Sequence, residues 1–168
     1  MNFIQFHPIH VYHPPVSALP PGFVYPKAYL DYVSRETVPN LDPWWFLCHS
    51  QDTGSYGRWM DILKEQFPSR KLVPFAKWGL DDEIACFEHS DNPELPAIHY
   101  IKSFVEPGCE ERGYCATFEE WLQVSLEEAE GYQADNPVDE DFEEQYWAHY
   151  MLLVVEEERR KAPRRWFW

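Results

Sequence analysis

Lys71–Ser103, KLVPFAKWGLDDEIACFEHSDNPELPAIHYIKS, restricts this chain more than any other stretch. It reads as three short strands, Lys71–Trp78, Glu83–His89 and Pro96–Ser103. The connectors Gly79-Leu80-Asp81-Asp82 and Ser90-Asp91-Asn92-Pro93-Glu94 carry turn chemistry: glycine supplies a positive φ, and Asp and Asn bond their own backbone. Side chains alternate across a strand. Ile84 and Cys86 therefore oppose Ala85 and Phe87, while Ile98, Tyr100 and Lys102 oppose Ala97, His99 and Ile101. Neither face is purely polar, so a sheet built here is covered on much of both sides. The expectation is an α+β single domain: a twisted, largely antiparallel sheet, with this central meander at about 71–103, flanked by helices.

The length of 168 residues favours one domain, and an aromatic content of 17% with eight Trp favours an ordered one. A formal net charge of −15 argues against nucleic acid and against an anionic membrane surface as partners. It suits a basic protein partner, although many soluble proteins are acidic for solubility alone. The N-terminal MNFIQFHPIHVYHPP has neither the cationic nor the apolar region of a secretory signal, and no apolar run reaches membrane-spanning length. Cys48, Cys86, Cys109 and Cys115 lack zinc-site spacing and are expected to be reduced thiols in a cytoplasm.

Residues 1–25 form a proline-rich arm, too apolar at Phe3, Ile4, Phe6, Ile9, Val11 and Tyr12 for a free tail. It is expected to lie along the domain surface in extended or polyproline geometry. His7, His10 and His13 coincide on one edge of a polyproline helix. No carboxylate or cysteine lies near them in sequence to complete a metal site, so they read as surface imidazoles. Pro26–Glu36 reads as a helix with Pro26 at its first helical position and Ala28, Tyr29, Tyr32 and Val33 as its stripe. Pro43–Cys48 reads as a buried strand whose indoles are core. A helix from Tyr56 to Phe67 carries Trp59, Ile62, Leu63 and Phe67, and Phe104–Gly113 is a loop. Thr117-Phe118-Glu119-Glu120 fits a capping box. The helix it opens buries Phe118, Trp121, Leu122, Ser125 and Leu126 and ends at Gly131. Asn136-Pro137 opens an additional C-terminal helix, 136–162. The basic, aromatic tail Arg164–Trp168 either packs back on the domain or serves as a docking tail.

Catalytic motifs are not apparent: there is no phosphate loop, nucleophile elbow or paired Cys-x-x-Cys. Asp81-Asp82 is the one adjacent carboxylate pair in a strand turn and reads first as turn chemistry. Cys86 with His89 or His99 could form a Cys/His pair, but it lacks an orienting group and an oxyanion donor. No catalytic residue, metal or cofactor is expected. The charge distribution says more. Between Val105 and Glu144 fourteen acids face one base, Arg112. Capping accounts for some of these acids and exposed helix faces for others; the remaining density is costly by self-repulsion and is not required for folding, and it reads either as a solvated acidic face or as a binding surface. A field of one sign speeds the capture of a cationic partner.

Leu72-Val73-Pro74-Phe75-Ala76, Gly79, Asp81-Asp82 and Ala85-Cys86-Phe87, followed by Phe118-Glu119-Glu120-Trp121-Leu122 after Thr117, resemble the SUKH superfamily in order and spacing. Its best-known member is a fungal regulator of cell-wall synthesis. The resemblance covers roughly residues 17–130, a core of about 26–131, and leaves out the arm and the last helix. The long disordered flanks of the fungal regulator are absent, so its signalling role does not carry over. The resemblance implies an α+β domain, and many bacterial members are implied to be immunity proteins that bind and neutralise a cognate toxin, often a nuclease. The expected function is thus a non-enzymatic, cytoplasmic immunity protein acting on a basic toxin. The alternative is a general interaction or scaffold module of the same fold. The partner surface is assigned to Asp81, Asp82, Glu119, Glu127, Glu128, Glu130, Asp139, Glu140 and Glu143.

Overall fold

A computed structural model describes residues 6–9, 11, 13–47, 55–79, 81–90, 96–109 and 112–137 of the chain. Its centre is the predicted meander. Three strands, β4 (Leu72–Trp78), β5 (Glu83–Glu88) and β6 (Ala97–Lys102), pair antiparallel in sequence order. The meander is longer than its sequence suggests. β3 (Trp44–Phe46) adds to one edge and β7 (Tyr114–Cys115) to the other, giving a five-stranded antiparallel sheet in the order β3-β4-β5-β6-β7. Two further strands, β1 (Phe6–Pro8) and β2 (Thr37–Pro39), form a separate antiparallel pair. Of the two geometries expected for the N-terminal arm, Phe6–Pro8 takes the extended one, in a strand pair.

Pro74 lies within β4, where its missing N–H would break a regular ladder. The register shifts between Pro74 and Ala76, and Phe75 is the extra residue of a bulge. Alternation puts Phe75 on the face of Val73, and the bulge turns Ala76 onto the same core.

The helices cover opposite faces. On one face α1 (Lys27–Val33) and α3 (Phe118–Asp135) bring Tyr29, Tyr32, Phe118 and Trp121 onto Phe75, Ala85, Phe87, Ile98 and Tyr100. Aromatic rings dominate this core: Phe75 stacks on Phe87 at 4.3 Å, and Trp121 meets Phe75 edge-on at 4.8 Å. On the other face α2 (Ser55–Gln66) sets Tyr56, Met60 and Leu63, with Phe67 beyond its end, against Leu72, Ile84, Cys86 and Ile101. The buried stripe of α2 therefore runs through Tyr56, Met60, Leu63 and Phe67, while the predicted Trp59 and Ile62 are half-buried flanks.

Several local expectations need correction. Pro26 is the N-cap of α1 rather than its first helical residue; its carbonyl accepts the Leu30 N–H at 3.1 Å. α3 does not stop at Gly131 but continues to Asp135, ahead of Pro137, which cannot extend a helix. A glycine ends a helix where a left-handed residue is needed; Gly131 is not among the residues with positive φ. Trp44 is core, but Trp45 is 57% exposed, because alternation along β3 sends the two indoles to opposite faces.

Residues Met1–Tyr132 make one compact unit and Gln133–Trp168 a second. In the second only residues 133–137 are described. The helix expected from Asn136, the acids Asp139, Glu140 and Glu143, and the Arg164–Trp168 tail lie beyond residue 137, outside the described residues.

Candidate functional site

The acids of α3 divide by helical position. Phe118, Trp121, Ser125 and Ala129 are buried and define the inner face. At 100° per residue, Glu119, Glu127 and Glu130 fall opposite them, and all three are exposed. Glu119 and Glu130 make no ion pair among the described residues, and Glu127 accepts only the Gln123 amide at 3.3 Å. This outer face extends about 16 Å from Glu119 to Glu130 at 1.5 Å per residue. The start of the helix carries the predicted capping box with one change of partner. The Thr117 hydroxyl accepts the Glu120 N–H at 3.2 Å, while the Glu120 carboxylate accepts the N–H of Ala116, one residue before the cap, at 2.7 Å.

Glu128 belongs to a different system. One of its oxygens accepts the Trp44 indole N–H at 2.8 Å, and the other takes Arg112. Arg112 also donates to Glu83 at 2.8 Å and lies over the Tyr100 ring, 4.0 Å from its centroid. The one base of the acidic segment is therefore a clamp joining α3, β3 and β5. Burial disfavours the Arg112 cation, but Glu83 and Glu128 together outweigh it and raise its pKa above the ordinary arginine value. Burial pushes the Glu83 carboxyl up, and Arg112 brings it only part of the way back. Glu128 is thus an internal partner rather than a member of the outer stripe to which the sequence assigned it.

Asp81 and Asp82 stand exposed in the β4–β5 turn. The Asp82 N–H, and then Lys102 at 3.1 Å, hold the Asp81 carboxyl below the usual range. The Lys77 ammonium donates to the carbonyls of Trp78 at 3.0 Å and Asp81 at 2.9 Å. The Asp82 carbonyl accepts both the backbone N–H and the hydroxyl of the buried Ser103, at 3.0 and 2.9 Å. Among the described residues no cation pairs with the Asp82 carboxylate. Gly79 in this turn serves a purpose other than the expected positive φ: a Cβ there would lie 3.2 Å from the Trp45 ring and 3.3 Å from the Pro43 carbonyl.

Cys86 and His99 are cross-strand partners. Cys86 is fully buried, and desolvation pushes its thiol up, away from the thiolate a nucleophile needs. His99 stacks on Tyr114 and approaches Glu88 at 2.9 Å, while Arg70 makes a forked pair with Glu88 at 2.8 and 3.0 Å. The Arg70 hydrogen bonds hold Glu88 below the usual carboxylate range against the opposing effect of burial. His13 is half-buried between Tyr25 and Tyr29, not on the surface, and burial lowers its pKa. Among the described residues no group of three His, Cys, Asp or Glu is placed to hold a metal ion, and no helix is long and apolar enough to cross a membrane.

Sequence reasoning missed three residues: Arg112, Trp45 and Phe104. A single base among fourteen acids was a signal for a counter-ion. Strict alternation would have sent Trp45 outward once Trp44 was placed inward. Nothing in the sequence marks Phe104, which is 69% exposed and holds a left-handed φ of 66°. Comparison with protein-family models, with curated proteins and with solved structures found no match.

Proposed function

We propose that this chain is a non-enzymatic, cytoplasmic immunity protein that binds and neutralises a basic, nuclease-type toxin protein. The observation that carries the reading is the division of acids on α3. Glu128 is consumed by Arg112 and Trp44, whereas Glu119, Glu127 and Glu130 form an exposed outer stripe that no described cation pairs with. Such a stripe costs self-repulsion and attracts a cationic surface of the kind that binds phosphates. The SUKH resemblance supports the same reading. Its two separated motifs meet in one core, where Phe75, Phe87, Phe118 and Trp121 are packed together. In the β4–β5 turn Asp81 is taken by Lys102, and the exposed Asp82 is a second acidic element of the binding surface.

The test begins with capture from the native cytoplasm on the immobilised chain at low and high salt. The retained protein is then purified and its affinity measured for wild type and for the triple variant Glu119→Lys, Glu127→Lys, Glu130→Lys. A single basic protein with nuclease activity that the chain inhibits, bound at least a hundredfold more weakly by the triple variant, is the expected result. Neutral or diverse partners that are indifferent to salt would favour a general scaffold module of the same fold.

A further inference from the structure

We propose that Phe104 is the apolar anchor of the partner-binding surface, entering a pocket on a basic protein while Asp82 and Glu106 face its cations. The inference rests on the immunity-protein reading and adds a contact residue to it. Phe104 lies two residues beyond the end of β6 and is the one non-glycine residue with positive φ among the described residues. Left-handed backbone is unfavourable for a side chain with a Cβ and persists only where its surroundings enforce it. Here they do so from both sides. The Phe104 N–H donates to the Gln66 side-chain oxygen at 3.2 Å, and the same Gln66 amide donates to the Val105 carbonyl. The preceding Ser103 is fastened to the Asp82 carbonyl by backbone and hydroxyl.

The strained backbone does not serve to bury the ring, which is 69% exposed. A large apolar side chain held outward on a fixed backbone loses little freedom on binding, which is what an interface anchor requires. The surroundings select the charge of the partner. Lys102 is matched by Asp81, Lys77 is turned onto main-chain carbonyls, and two exposed acids remain near Phe104: Asp82, whose carbonyl holds Ser103, and Glu106, two residues on in the chain. An exposed ring with acids nearby in the fold suits an apolar pocket bordered by cations.

The experiment places the photo-cross-linker p-benzoyl-phenylalanine at position 104, at Glu127, or at the exposed Val24 as a control, in the full chain in its native cytoplasm. The captured protein is purified, and its affinity is measured for wild type, Phe104→Gly and Phe104→Leu. The expected result is cross-linking of one basic protein from position 104 but not from Val24. Its affinity falls at least fiftyfold for Phe104→Gly and less than fivefold for Phe104→Leu. The melting temperature of Phe104→Gly rises, because glycine relieves the left-handed backbone, so its loss of affinity is not loss of fold. Unchanged affinity of Phe104→Gly overturns the proposal, as does a neutral or acidic partner. If the triple lysine variant of α3 abolishes binding while Phe104→Gly does not, the immunity reading stands and the anchor falls. If neither matters, both fall.

Discussion

The guanidinium of Arg112 lies 4.0 Å from the centroid of the Tyr100 ring. The ring shields one face of the cation, and Glu83 and Glu128 take its edges. A base between two partly buried acids is worth more by its absence than by its presence, because its removal leaves two uncompensated charges. Arg112→Ala is expected to lower stability by about 2–3 kcal/mol, seen as a lower urea midpoint at an unchanged slope. Glu127→Gln, on the outer stripe, should stay within about 0.5 kcal/mol of wild type. Equal effects of the two would refute the division of acids on α3.

Ser125 and Trp121 are both fully buried one turn apart on α3, and among the described residues neither the Ser125 hydroxyl nor the Trp121 indole N–H has a hydrogen-bond partner. An unpaired buried hydroxyl carries its desolvation cost, and serine is a weaker helix former than alanine. Ser125→Ala is expected to raise stability, by up to about 1 kcal/mol. A fall in its thermal midpoint would mean that the hydroxyl has a partner.

Glu88 sets part of the acid limb of stability. Its folded pKa is lowered by Arg70, so its contribution is complete above the unfolded value, about 4.3, and is lost as pH falls through the folded value. Glu83 has the opposite sign. Its raised pKa makes a contribution that is complete below the unfolded value and lost as pH rises through the folded one. Glu88→Gln should therefore flatten the decline of stability below about pH 4.5, the ordinary carboxylate range. Denaturant midpoints across that range would show it, and an unchanged acid limb would assign it to other carboxylates.

Gly79→Ala forces a methyl group between the Trp45 ring and the Pro43 carbonyl. An overpacked contact of this kind costs about 1–2 kcal/mol. Trp45→Ala should recover part of that cost and not all of it, because the Pro43 carbonyl remains in place. A double-mutant cycle measures the share, and full additivity would mean that the ring is not in the way.

The part of the fold that was legible consists of residues whose structure is decided by near neighbours. The strands 71–103 alternate over short distances between turn-forming connectors, and Thr117 and Glu120 are three residues apart. β3 was legible as a strand from the apolar run Pro43–Cys48, although its pairing with β4 was not, whereas β7 spans two residues, too short to show a period, and exists because β6 offers it a partner. Gly131 looked like a terminus because a glycine cannot announce whether its freedom will be used. Acidic character was visible in the candidate site, but the separation of Glu128 from Glu127 was not. That separation depends on Trp44 and Arg112 meeting the helix from 84 and 16 residues away. The left-handed Phe104 depends in the same way on Gln66, 38 residues earlier.

In the five-stranded sheet each strand lies beside its predecessor in the chain, without a crossover. During synthesis, each strand from β4 onward can therefore join a partner that has already been made. Arg112 and Glu128 come near the end of this sequence, so the clamp closes on a sheet already formed. A chain whose residues have left the ribosome only as far as 111 would hold a paired meander whose aromatic face still lacks α3. For that interval α1 alone covers part of the aromatic face, and completion of α3 seals the rest.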